Sequence, residues 1–268
     1  MSRNLRLPQG GKIAYEVEGQ GPVLVLVSGL GGRGSFWSGL VEELRQHFTT
    51  VTYDHLGTGR SSRVDQPFSI AGMTRDLVCL LDEIGASTAR LVGHSTGGAI
   101  LQELASTRPE RIDRMVLSAT WARSCLYFRS LFDRRLAALH QIGLDEYRRQ
   151  GVMLQYPPYW IIAHPEQFET EMEAPLPSNV ELETAIITGR IKAVLGHDRL
   201  ESLPAIKAPT LVITAADDMI VPAYHSDTLA REIPGARLEV LPRGGHFVPR
   251  TEPRDYLARV LPFLLEEI

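Results

Sequence analysis

The chain has 268 residues, 44% of them hydrophobic and 22% charged, with a formal net charge of −4 and a sequence pI of about 6.1. That size suits one large α/β domain, or one carrying an inserted subdomain, and the composition excludes disorder. The charge balance excludes a basic footprint for nucleic acid or anionic membrane, and the two cysteines, Cys79 and Cys125, stand in no metal-ligand spacing.

The first residues, MSRNLRLPQGGK, lack the apolar core of a secretory signal. The longest aliphatic run, VLVLV at 23–27, is far short of the ~20 residues that span a bilayer. A cytoplasmic protein without a membrane partner is expected. IAYEVE (13–18) alternates apolar and polar residues and predicts a half-exposed strand near a sheet edge. VLVLV, TVTYD (50–54), ARLVG (89–93), RMVLSA (114–119), TLVITA (210–215) and RLEVL (237–241) predict further strands, several buried on both faces. Helical patterns fall between them at 36–47, 70–84, 96–107, 224–232 and 254–267. Strand–helix alternation of this kind predicts a mostly parallel sheet covered on both faces.

The alternation fails between 121 and 203, where helical patterns and proline breaks (YPPYW, EAPLPS) occur without a strand. Eighty residues are too many for a loop inside a compact domain, so a helical insertion is expected at 121–203, between core segments 1–120 and 204–268.

In open α/β sheets, ligands collect beyond the carboxyl ends of the strands. Ser95 follows the strand at 89–93, Asp217 and Asp218 follow 210–215, and His246 follows 237–241. A serine hydroxyl becomes a competent nucleophile when an imidazole takes its proton, and a carboxylate on the other ring nitrogen fixes the tautomer. Either aspartate satisfies that role by position alone. Gly93 and Gly97 relieve crowding around a serine in a strained strand-to-helix turn, and the Thr96 amide at the helix start would favour a developing oxyanion. A second amide is expected from the glycine-rich loop SGLGGRGSFW (28–37), at Leu30. The Gly-x-Gly of DHLGTGRSS lacks the lysine and following helix of a phosphate loop, so it predicts a tight turn in which Asp54 and Ser61 bond backbone. His94 is expected to pack inward, and His55, His164 and His197 to be solvated.

These features resemble the α/β-hydrolase fold superfamily over essentially the whole chain: Gly-x-Ser-x-Gly at 93–97, YDHLGTGRSS at 53–62, DDMIVP at 217–222 and GGHFVP at 244–249. The resemblance implies an eight-stranded sheet with a helical cap, and a cofactor-free, metal-free enzyme acting on a small molecule as monomer or homodimer. In that family the acid stands four residues before the proline, which selects Asp218. One departure is Ser28-Gly29, where the family commonly carries His-Gly. SGLGGRGSFW, YDHLGTG, TWAR and YPPYW further resemble the aminoacrylate hydrolases of pyrimidine catabolism, a branch near the 3-oxoadipate enol-lactonases. That branch implies a small carboxylated substrate carrying an ester, lactone, amide or enamine-type bond. Arg123 is the expected carboxylate ligand, and Trp121, Tyr156 and Trp160 are expected to line the cleft. The same scaffold also supports C–C bond hydrolysis, cofactor-free oxygenation, and ligand receptors that retain the triad.

Overall fold

A computed structural model describes residues 3–64 and 66–266. Residues 1, 2, 65, 267 and 268, all within the expected core segments and one of them, 267, within the last helical pattern, lie outside the described residues.

Eight strands form one sheet: β1 (Arg3–Arg6), β2 (Lys12–Glu18), β3 (Val23–Val27), β4 (Thr49–Tyr53), β5 (Ala89–His94), β6 (Ile112–Ser118), β7 (Thr210–Ala215) and β8 (Arg237–Leu241). Their spatial order is β1-β2-β4-β3-β5-β6-β7-β8, with β1 and β2 antiparallel to their neighbours and the remainder parallel. All seven strands expected from the sequence are present. The eighth, β1, is four residues at the sheet edge, three of them exposed, and carries no apolar alternation by which to recognise it.

The central strands are buried on both sides, and their residues divide between two cores. Val25 and Val27 of β3 join Leu91, Met115, Leu117 and Val212 under helices α2 (Ile70–Glu83) and α3 (Thr96–Thr107). Leu24 and Leu26 join Val92, Val116 and Ile213 on the opposite face. There Trp37, Leu40 and Leu44, from a 3₁₀ turn and helix α1 (Ser38–Leu44), meet Tyr256, Val260 and Phe263 of the C-terminal helix. A strand two-sided in this way reads as a continuous aliphatic run, which is why VLVLV shows no alternation.

Between β6 and β7 the chain forms five helices and no strand among the described residues: α4 (Leu126–Gln141), α5 (Leu144–Gln155), α6 (Pro158–Ala163), α7 (Pro165–Met172) and α8 (Val180–Leu195). Phe128, Phe132 and Leu139 of α4 pack with Leu144 and Tyr147 of α5 and Ile191 and Val194 of α8. The remaining helices are α9 (Tyr224–Glu232), the short α10 (Val248–Thr251) and α11 (Pro253–Leu265). No helix of the described residues is long and apolar enough to cross a membrane.

Two expectations for histidines are corrected here. His55 is buried, stacked on Tyr53 at 5.0 Å between ring centres, and His197 is buried beside Trp121. Burial holds His55 and His94 neutral well below the usual imidazole range and pushes His197 and His225 down to about 4. An unfolded chain takes up these protons near pH 6.5, so the stability they contribute is complete above that pH and is lost as the pH falls towards 4. Asp76, pushed up to about 6 by burial, acts in the opposite sense, its contribution growing as the pH falls from 6. Four imidazoles outweigh one carboxyl. The melting temperature should therefore drop between pH 6.5 and 4, and His197→Gln should flatten that slope by up to about 1.4 kcal/mol per pH unit. Thermal melts across the range check this; a Tm that rises on acidification would exclude it.

Candidate active site

The turn from β5 into α3 is strained and closely packed. Ser95 has φ 55° and ψ −117°, a conformation in the left-handed half of backbone space that a non-glycine residue adopts at a cost of about 1–3 kcal/mol. The flanking glycines are needed for space: a Cβ at Gly97 would lie 2.1 Å from the Val27 carbonyl oxygen, and one at Gly93 would lie 2.6 Å from the Gly97 carbonyl. The turn is braced from β6. The Ser95 amide donates to the Ser118 carbonyl (2.8 Å), and Thr120 Oγ1 donates to the Ser95 carbonyl (2.7 Å). Ala119, between them, also has positive φ, at 47°. Nothing in the local sequence of Ala119-Thr120 signals this role, which depends on two strands 25 residues apart.

The turn delivers Ser95 Oγ to 3.1 Å from His246 Nε2, and His246 Nδ1 stands 2.8 Å from Asp218 Oδ2. All three residues are buried. The other Asp218 oxygen accepts the amides of Ile220 (2.8 Å) and Val221 (2.9 Å), which fixes the carboxylate plane. Asp217 faces elsewhere: its Oδ1 accepts the Gly245 amide at 2.8 Å and so ties the acid loop to the histidine loop. The two aspartates are thus separated by geometry, one on the imidazole and one on the backbone beside it. His94, kept neutral first by burial and then by the nearby His246, stacks on Phe36 and donates no positive charge to the neighbouring imidazole.

Leu30 follows Gly29, where a Cβ would come within 3.1 Å of Ser95 Cβ; the loop therefore lies against the serine. Among the described residues the amides of Leu30 and Thr96 have no acceptor. Where the family commonly has histidine, the Ser28 hydroxyl donates to the Arg33 carbonyl (2.7 Å) and closes the loop on itself. Asp54 accepts the Gly34 and Arg60 amides, and Ser61 donates to the Asp54 carbonyl, as expected of a tight turn.

The expected cleft residues divide. Tyr156 and Trp160 stack at 4.3 Å, and Tyr156 meets the edge of Phe247 at 5.4 Å, directly beside His246. The Gly245 and Phe247 backbone lies against Pro157 and the Gln155 carbonyl, so this part of the insertion packs on the histidine loop. Trp121 is wholly buried between Phe128 and His197. Arg123 is the correction. Its guanidinium bonds Asp198 (2.7 Å) and Glu201 (3.2 Å), with 44% of the side chain exposed. Two carboxylates 75 and 78 residues away claim it, leaving it turned outward and already paired.

The strained Ser95 turn, the His246–Asp218 pair and the Leu30 and Thr96 amides thus gather beyond the carboxyl ends of the parallel strands β3, β5, β7 and β8. The chain belongs to the α/β-hydrolase fold family, whose model matches residues 22–253, and it is an enzyme of the hydrolase class. It is 38% identical to a protein of Caulobacter sp. (strain K31) named as the carbamate hydrolase RutD, over 94% of this chain and 96% of that one. Among solved structures, a hydrolase from Pseudomonas aeruginosa PA01 is 30% identical with a TM-score of 0.87, covering 99% of this chain and 98% of its own. The enol-lactonase of Burkholderia xenovorans LB400 shares the fold with a TM-score of 0.89 at 24% identity, over 98% of this chain and all of that one. Residues 217–222 and 244–249, whose motifs raised this family from the sequence, are the two loops that meet at the imidazole.

Proposed function

We propose that this enzyme is a serine hydrolase of small carbonyl substrates in which Ser95 attacks, His246 relays the proton and Asp218 orients His246. The observation that carries the reading is the continuous relay Ser95 Oγ–His246 Nε2 and His246 Nδ1–Asp218 Oδ2, at 3.1 and 2.8 Å. Ser95 adds to the acyl carbon as its proton passes to His246, and the resulting oxyanion is held by the Leu30 and Thr96 amides. His246 then protonates the departing amine or alcohol, and a water, deprotonated by the same imidazole, releases the acid and restores Ser95. Asp218, with one oxygen saturated by two amides, offers the other to the imidazolium formed in each half-reaction.

The relative named as a carbamate hydrolase supports a carbamate substrate, and the motif resemblance supports an enamine-type one of the aminoacrylate kind. In this reading the 121–203 segment is a lid that excludes water, and Phe247, backed by Tyr156 and Trp160, is the apolar wall beside His246. Arg123, engaged by Asp198 and Glu201, is not part of it. Incubation with a fluorophosphonate probe tests the assignment. A single covalent adduct is expected on Ser95, located by peptide mass spectrometry, and prior mutation of His246 should slow its formation. An adduct elsewhere, or none, would exclude a Ser95 nucleophile.

A further inference from the structure

Arg190 is a buried charge that the proposed chemistry leaves unused. It sits on α8 of the insertion, 1% exposed, and its hydrogen bonds go to the Leu30 carbonyl (Nε, 2.9 Å), the Leu56 carbonyl (Nη1, 3.4 Å) and His55 Nδ1 (Nη2, 3.0 Å). None of these is a carboxylate. A guanidinium taken out of water with no carboxylate in hydrogen-bond contact is costly, and burial pushes Arg190 down to about 10, still protonated at neutral pH, with Glu183 and Asp76 offsetting only part of that cost. A neutral side chain of similar volume would fill the space without that cost, so what the charge accomplishes is found in what it touches.

It touches the oxyanion loop. Leu30 is flanked by Gly29, Gly31 and Gly32, and an added Cβ at Gly31 would meet nothing within 4 Å. Glycines on both sides place few steric limits on the peptide planes around Leu30, so hydrogen bonds must set them. The loop is tied on one flank by the Gly32 amide on the Gly29 carbonyl (3.0 Å), and by the Gly32 carbonyl, which accepts the His55 amide (2.7 Å) and Thr58 Oγ1 (2.9 Å). At the Leu30 carbonyl itself the bond comes from Arg190, 160 residues away in sequence. Its fork holds that carbonyl while also gripping His55 and Leu56, the turn that supports Gly32.

We propose that Arg190 is a positioning residue of the oxyanion hole: by holding the Leu30 carbonyl it fixes the 30–31 peptide plane, and together with the Gly32 amide, which holds the 29–30 plane through the Gly29 carbonyl, it clamps Leu30 so that its amide aims at the oxygen developing over Ser95. The inference rests on the reading of Ser95 as nucleophile. It also makes the insertion part of the catalytic geometry, because the residue that sets the loop belongs to α8 rather than to the sheet.

The test uses p-nitrophenyl acetate turnover and phenylboronic acid inhibition on the full chain carrying Arg190→Met, Arg190→Lys or Ser95→Ala. Circular dichroism and melting establish folding. Misaiming one oxyanion donor should lower kcat by about 10–100-fold in Arg190→Met, with KM changed by less than about threefold. Boronate affinity should weaken in step with kcat, since its tetrahedral adduct places an oxygen in the same hole. Arg190→Lys keeps a charged donor for the Leu30 carbonyl and should recover part of the loss. A rise in KM alone would make Arg190 a ground-state ligand and overturn the proposal. So would unchanged kcat in folded Arg190→Met, or failure of both Arg190 variants to fold, which would make the residue structural. Ser95→Ala separates the two levels: if it retains hydrolysis, the nucleophile reading fails and this inference goes with it. Full loss in Ser95→Ala with full activity in Arg190→Met removes the positioning role alone.

Discussion

Ser95→Ala should lose hydrolysis by a factor on the order of 10³–10⁶ in kcat while the chain folds as before. The loss is large because, among the described residues, the one hydroxyl bonded to His246 Nε2 is Ser95 Oγ, at 3.1 Å. The fold should survive because the strain at this position is in the backbone, φ 55°, and alanine meets the same strain as serine. What supports the turn is the Ser95 amide on Ser118 and the Thr120 hydroxyl on the Ser95 carbonyl, and both bonds remain. Steady-state turnover with a p-nitrophenyl ester and a thermal melt together check the prediction. A well-folded variant retaining more than about a tenth of the wild-type rate would remove Ser95 from the chemistry and favour a mechanism in which the His246–Asp218 pair alone is the base.

Asp218→Asn is expected to reduce kcat/KM by about 10²–10⁴-fold, and Asp217→Asn by far less. The amide of an asparagine at 218 can present its NH₂ to His246 Nδ1, which would place the proton on the wrong ring nitrogen and leave Nε2 unable to accept from Ser95. Asp217 has a different task. Its bond to the Gly245 amide (2.8 Å) steadies the histidine loop, and an asparagine side-chain carbonyl can still accept it. The double measurement therefore separates an electrostatic role from a positioning one within a single dipeptide. Equal losses would show that the two carboxylates share the imidazole, contrary to the 2.8 Å contact that only Asp218 makes.

Several features follow from the sequence because their causes are local. A serine between glycines at a strand-to-helix junction is legible because steric need at Gly93 and Gly97 arises within a few residues. The acid and histidine loops are legible because each follows a strand whose aliphatic run marks its end, and parallel strands bring those ends to one edge of the sheet. Asp217 and Asp218 stay equivalent on position alone; the family spacing selects Asp218, and the structure separates them by the Ile220, Val221 and Gly245 amides around them.

Arginines in the insertion were beyond that reach. Arg123, beside Trp121 just past the end of a strand, has the more suggestive position in the chain, whereas Arg190 lies inside an ordinary helical pattern. Tertiary structure reversed their standing: Asp198 and Glu201 draw Arg123 outward, and Leu30, Leu56 and His55 receive Arg190 inside. The reason is physical. A long flexible cation takes its place from whichever acceptors and cavities the folded chain offers, here 75 to 160 residues away, and local pattern carries no record of them. The burial of His55 and the Ala119-Thr120 brace under Ser95 were decided in the same way, by neighbours from other strands and helices. The sequence alone determined the chemistry available at the strand ends; only the tertiary structure decided which charges reach it.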